Sequence, residues 1–166
     1  MYFAFENLPP HARIWVYQAD RTLNEAEAAL VHSDIRAFCD GWEAHGQPLK
    51  TSYLLVSNQF LILAVDEGVH HASGCSIDGS VRVLKNLQAQ GIHFLDASKI
   101  AFLLEDRVVL YSRLELKALF AAGVLTGQTI TFNNLVATKH ELDTHWKIPV
   151  EKSWMAKYLA THTLVQ

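Results

Sequence analysis

Two places in this chain hold residue types that could do chemistry. "LILAVDE", residues 61–67, ends an apolar run on two adjacent carboxylates, Asp66 and Glu67. A carboxylate at the open end of a strand can serve as a general acid or base. "HHASGCSIDGS", residues 70–80, follows at once and carries Cys75, Ser76 and Asp78 between glycines. A thiol just before a helix N-terminus can act as a nucleophile. Backbone amides there can also receive a ligand, with Ser76 and Asp78 beside them. A third candidate is Asn133-Asn134, placed after "TITF", where amide side chains could hydrogen-bond a ligand or close a turn.

The neighbours of Cys75 argue against strong activation. A helix end contributes about 0.3–1 kcal/mol toward a thiolate, and up to ~2 when partly buried. Asp66, Glu67 and Asp78 are all negative, and the first downstream cation is Arg82. The plainer expectation is that Gly74 turns the chain, Cys75 packs as a small hydrophobe, and Ser76 caps a helix. His70, His71 and Cys75 do not suggest a metal site, because adjacent histidines in extended chain point apart. No cofactor is expected.

The same two segments imitate nucleotide-binding motifs. "LILAVDE" has the form of a Walker B strand, and "GCSIDG" supplies two glycines with the spacing of a Walker A. Chemistry breaks both matches. A phosphate loop needs Lys after its second glycine, and here Ser80 follows Gly79. The loop should also precede the acidic strand rather than follow it.

The surrounding elements follow from periodicity and caps. "RIWVY" (13–17) reads as a strand. Thr22 and Glu25 suggest a capping box for a helix whose apolar face carries Val31, Ile35, Phe38 and Trp42, ending by Gly46 and Pro48. "TSYLLVS" and "QFLILAV" form a hairpin around Asn58, the second strand covered on both faces. A second helix is expected over 77–90. Lys99–Leu104 and Arg107–Tyr111 form another hairpin around Glu105-Asp106. Ser112 and Glu115 cap a short helix ending before Gly123, "TITF" is a strand, and Thr138 with Glu141 caps a further helix. The order suggests one α+β domain spanning 1–166, with a mixed, mostly antiparallel sheet of about six strands. Its first six elements match a ferredoxin-like βαββαβ unit.

Composition narrows the function classes. The chain has 166 residues, half of them apolar, and a net charge of −3. Basic residues are scattered, which gives no drive toward nucleic acid or anionic membranes. The longest apolar run is Phe60 to Val65, far short of the ~20 residues a membrane helix needs. Two cysteines without a CxxC spacing suggest free thiols and a cytoplasmic protein.

Several stretches, "WVYQADR", "AVDE", "ASGCSID", "FNNLV" and "IPVEKSW", together make the chain resemble a family of short bacterial proteins, many catalogued as "ABC transporter ATPase". The resemblance spans nearly the whole chain and brings no residue roles with it. The ATPase label echoes "LILAVDE", and an LSGGQ-type signature is missing. The expectation is therefore a non-catalytic ligand-binding or protein-interaction module, with an unknown small molecule or protein as partner. Self-association would use sheet edges or Trp146 and Trp154. The alternative is a small enzyme using the 66–78 loop, with Cys75 as nucleophile or Asp66 as acid/base.

Overall fold

The computed structural model describes residues 1–68 and 70–159, with Cys75 described by its backbone only. Backbone contacts group into two compact units. The first holds Met1–Asp96 and Asn134–Asp143, and the second holds Ala97–Asn133 and the described chain from Thr144 onward. Helices and antiparallel strands alternate in both, so the fold class is α+β.

In the first unit β1 (Arg13–Gln18) leads to α1 (Glu25–Gly41). Asn24 caps that helix through a reciprocal box with Glu27, two residues later than the Thr22–Glu25 pair expected from the sequence. Both pairs have the S/T/N-x-x-E form, so the local signal could not choose between them. Val31, Ile35, Cys39 and Trp42 form the buried stripe. The helix ends at Gly41, ahead of Gly46 and Pro48. Those two residues instead belong to a small hairpin, β2 (Glu43–Ala44) and β3 (Gln47–Pro48), which turns at His45 and Gly46, both with positive φ.

β4 (Lys50–Val56) and β5 (Phe60–Asp66) pair across the loop at 57–59. Ser57 and Asn58 adopt positive φ there, the conformation that lets a tight hairpin follow the twist of its strands. Every residue of β5 is buried. This fits its position in the middle of the sheet, whose order is β1-β5-β4 with both pairings antiparallel. Leu61, Leu63 and Val65 face a core shared with α1 and with Leu84 and Leu87 of α2 (Gly74–Ala89).

The arrangement β1-α1-β4, with β5 inserted antiparallel between the two strands, is a split βαβ. The full ferredoxin-like sheet does not form. Its fourth strand would be β6 (Lys99–Leu104), which lies in another sheet. The outer edge of β1 is met by residues 137–138: Ile14 N–H donates to Ala137 O at 3.0 Å, and Arg13 bridges Thr138. Nor is there one sheet of about six strands, because the described strands divide into sheets of three, two and four. Strand order in the chain does not specify which strands share a sheet.

In the second unit β6 pairs with β7 (Arg107–Ser112) across Glu105-Asp106, both at positive φ. Ser112 and Glu115 form the expected capping box before α3 (Leu116–Ala121), and Gly123 ends the turn at positive φ. β8 (Ile130–Phe132) pairs with β6 and with β9 (Lys147–Pro149), giving the order β7-β6-β8-β9. In the chain, α4 (Lys139–His145) comes between β8 and β9, and its residues up to Asp143 belong to the first unit. Phe102, Leu116, Phe120, Leu125, Val150 and Met155 form the core of this unit.

Candidate functional site

The centre of the candidate site is the exit of β5. As the middle strand, β5 delivers Asp66 and Glu67 between the starts of its two neighbours, so each carboxylate meets a cation from one flank. Asp66 lies opposite Lys50 in the β4 ladder, and their charged atoms are 3.6 Å apart. His11 Nε2 stands 3.7 Å from the other oxygen of Asp66. Gly68 N–H donates to that same oxygen at 3.0 Å and closes a tight turn. A Cβ on Gly68 would sit 3.1 Å from Asp66 Oδ1, so a larger residue there would push the carboxylate aside by a few tenths of an ångström.

Glu67 repeats the pattern on the other flank. Arg13 Nη1 of β1 is 3.4 Å away, His71 Nδ1 is 3.6 Å away, and Ala72 N–H donates to its carboxylate at 3.0 Å. Each carboxylate thus has one permanent cation, one imidazole and one backbone donor. With neutral histidines the cluster sums to zero charge. Asp66 is nearly buried, its side chain only 11% exposed. A buried carboxylate this well matched is held mainly as a structural anion.

Ser76 is equally committed. The helix begins at Gly74, and Ser73, rather than Ser76, is its N-cap. Ser73 accepts from Ser76 N–H at 3.2 Å, while Ser76 Oγ accepts from Ser73 N–H at 2.7 Å. The Ser76 carbonyl also receives Trp42 Nε1–H at 2.8 Å. Moving the helix start to Gly74 puts Cys75 in the first turn and Gly79 well inside the helix. "GCSIDG" is therefore helical rather than a loop that could wrap a phosphate. The Cys75 side chain lies outside the described residues. Asp78 is exposed and borders a shallow depression with Val81, Arg82 and Lys85.

The two asparagines belong to different units. Asn133 is in the second, where its N–H donates to Trp146 O at 2.6 Å. Asn134 is in the first, and its side-chain amide donates to Gln18 Oε1 at 3.2 Å. Asp66, Ser76 and Asp78 belong to the first unit, and among the described residues no hydrogen bond or ion pair joins Asp66 to Ser76 or Asp78.

The other cysteine is inert by position. Cys39 is fully buried on α1, and burial pushes its thiol up to about 12. No group of three or more His, Cys, Asp or Glu among the described residues is arranged to hold a metal ion. No described helix is long and apolar enough to cross a membrane.

Of the tryptophans bracketing "KIPVEKS", Trp146 is buried against Phe132, with ring centroids 5.0 Å apart, whereas Trp154 is 46% exposed. Arg113 lies over the Trp154 ring at 5.0 Å and Lys157 at 5.4 Å, and neighbouring Leu114 is 94% exposed.

Reading the sequence for reactive types found Asp66 and Glu67 and missed the partners of Asp66, His11 and Lys50, and the cation beside Glu67, Arg13. One signal for Lys50 was present. Counting back from the 57–59 loop pairs Val56 with Phe60, and the same register reaches Lys50 opposite Asp66. Comparison with family models, curated proteins and solved structures finds no match to this chain.

Proposed function

We propose that this protein is a non-catalytic binding module that works through contact with a partner. The observation that carries this reading is the saturation of the paired carboxylates and of the capping hydroxyls. Asp66 and Glu67 are each neutralised from a flanking strand, and the Ser73 and Ser76 hydroxyls are spent on a helix cap. A catalytic acid or base needs an unmatched proton-transfer position facing substrate. Exposed Trp154, with Arg113 over its ring, supports a protein partner, since Trp and Arg are among the side chains that most often anchor one. The reading keeps the resemblance to the short bacterial family and a cytoplasmic location, without the ATPase label. The helical state of "GCSIDG" supports leaving that label aside.

The test is isosteric replacement. Asp66→Asn and Glu67→Gln should lower thermal stability and leave the partner profile unchanged, scored by cross-linking in cells. Leu114→Ser with Trp154→Ala should remove the cross-linked product at unchanged stability. Turnover of a nucleotide, ester or phosphoester by the wild type, lost in folded Asp66→Asn, would overturn the proposal.

A second reading has one observation in its favour. His11 is 71% exposed at its side chain while its Nε2 faces Asp66, an imidazole–carboxylate arrangement open to solvent. A small enzyme would use His11 as the base and Asp66 to orient it. His11→Gln would then abolish turnover without affecting stability.

A further inference from the structure

We infer, building on the binding-module reading above, that the Trp154 surface of the second unit receives an acidic peptide segment of a partner protein, whose carboxylates pair with Arg113 and Lys157. Local structure presents the ring. Ser153 caps the short turn Trp154–Ala156 by accepting from Met155 N–H at 3.1 Å. Met155 is fully buried in the core of this unit, while Trp154 beside it is 46% exposed. The indole is held in place. It packs edge-on against Tyr158 with centroids 6.2 Å apart, and Tyr158 stacks on buried Phe120 at 5.5 Å. A large apolar side chain that is already ordered loses little freedom on binding.

Charge selects the occupant. Arg113 and Lys157 are both exposed and lie over this one indole, 5.0 and 5.4 Å from its centroid. Among the described residues neither forms an ion pair. Glu115, the nearest carboxylate to Arg113 along the chain, accepts instead from Ser112 N–H at 2.8 Å. The imbalance extends through the unit. Residues 97–133 and 144–159 hold seven Lys and Arg against four Asp and Glu, in a chain whose net charge is −3. Carboxylates at i and i+2 of an extended peptide lie on one face, about 7 Å apart. That spacing suits two cations that share a ring, and an apolar side chain on the same face would cover the indole.

Other anions fit less well. A single-stranded nucleic acid stacks its bases on an open ring face, and here two cations already lie over the ring. The negative charge of the whole chain also repels a polyanion or an anionic membrane. A second copy offering its acidic first unit would dock head to tail, a contact that does not close.

Selection of a random dodecapeptide phage library on the full chain tests this. Enriched peptides should carry at least two Asp or Glu and an apolar residue. Fluorescence anisotropy of one labelled winner should show binding that weakens as salt rises. Arg113→Glu combined with Lys157→Glu should weaken it by at least about tenfold, with an unchanged far-ultraviolet circular dichroism spectrum. The same variant should gain affinity for that peptide with its acids replaced by Lys. Winners that need Trp154 but carry no acids would overturn the acidic partner and leave the binding module standing. A selection that enriches nothing overturns the inference, and so does an acidic peptide that binds the charge-reversed variant undiminished. Binding of an oligo-dT strand or of phosphatidylserine vesicles, or self-association in sedimentation, overturns it too if the charge reversal abolishes that binding.

Discussion

Lys50 and Asp66 oppose each other across the β4–β5 ladder with Nζ and Oδ2 3.6 Å apart, at the one point where the buried middle strand ends in a charge. The Lys50 side chain is 28% exposed and that of Asp66 11%, so water screens the pair only in part. Lys50→Met keeps the aliphatic stem and removes the charge. It should cost about 1–3 kcal/mol, below the 3–5 of a fully buried pair. Asp66→Asn in the Lys50→Met background should cost less than in the wild type, because the carboxylate would no longer have that partner. Urea denaturation of the cycle measures the coupling, and additive costs would show that the pair contributes nothing.

The start of α2 can be tested by its cap. Ser73→Ala removes the oxygen that accepts from Ser76 N–H and should cost about 1 kcal/mol. Ser73→Asp should preserve most of that stability. If Ser73→Ala proves silent in thermal melts, the helix does not begin at Gly74.

Glu27 provides an acid-side prediction. Its carboxyl is drawn down to about 2, first by the Arg21 guanidinium, which donates at 2.7 Å, and then by the backbone N–H of Asn24. Its ordinary value is 4.5, so the unfolded chain takes up the proton first as pH falls. The stabilisation is therefore complete above about 4.5 and lost on descending toward about 2. Arg21→Gln should melt lower than the wild type at neutral pH, with the gap closing across that window. A gap independent of pH would refute the assignment.

Cys39 makes a prediction about reactivity. With its thiol raised to about 12 by burial, almost no thiolate exists in the folded protein at pH 8. In a Cys75→Ser variant, iodoacetamide should modify Cys39 only at the rate of global unfolding, and the rate should rise with urea. The unfolded chain ionises this thiol first, so its contribution to stability fades as pH rises above its ordinary 9. Labelling at the speed of a free thiol under native conditions would contradict the buried placement.

Legibility followed the range of the interactions. Hairpins at Asn58 and Glu105-Asp106 were readable because the tight-turn residues sit between runs of strand formers. The Ser112–Glu115 box was readable because no competing cap stood nearby. At α2, Ser73 and Ser76 are both suitable caps, and only packing of the first turn against Trp42 separates them. β9 was missed because three residues ending in Pro149 carry no periodicity. The cations around Asp66 and Glu67 come from distant strands, and residue types alone do not report sheet neighbours.

The edge of β1 is closed by residues 137–138, so the first unit is not contiguous in the chain. During synthesis β1 must wait for β5 to acquire its first ladder partner, then wait again while β6, β7 and β8 are made. Until the segment around Ala137 emerges from the ribosome, Ile14 has no acceptor for its amide on that side. A chain truncated after residue 133 would therefore keep a nearly complete core with one raw strand flank, and should aggregate in proportion to how long that flank stays bare.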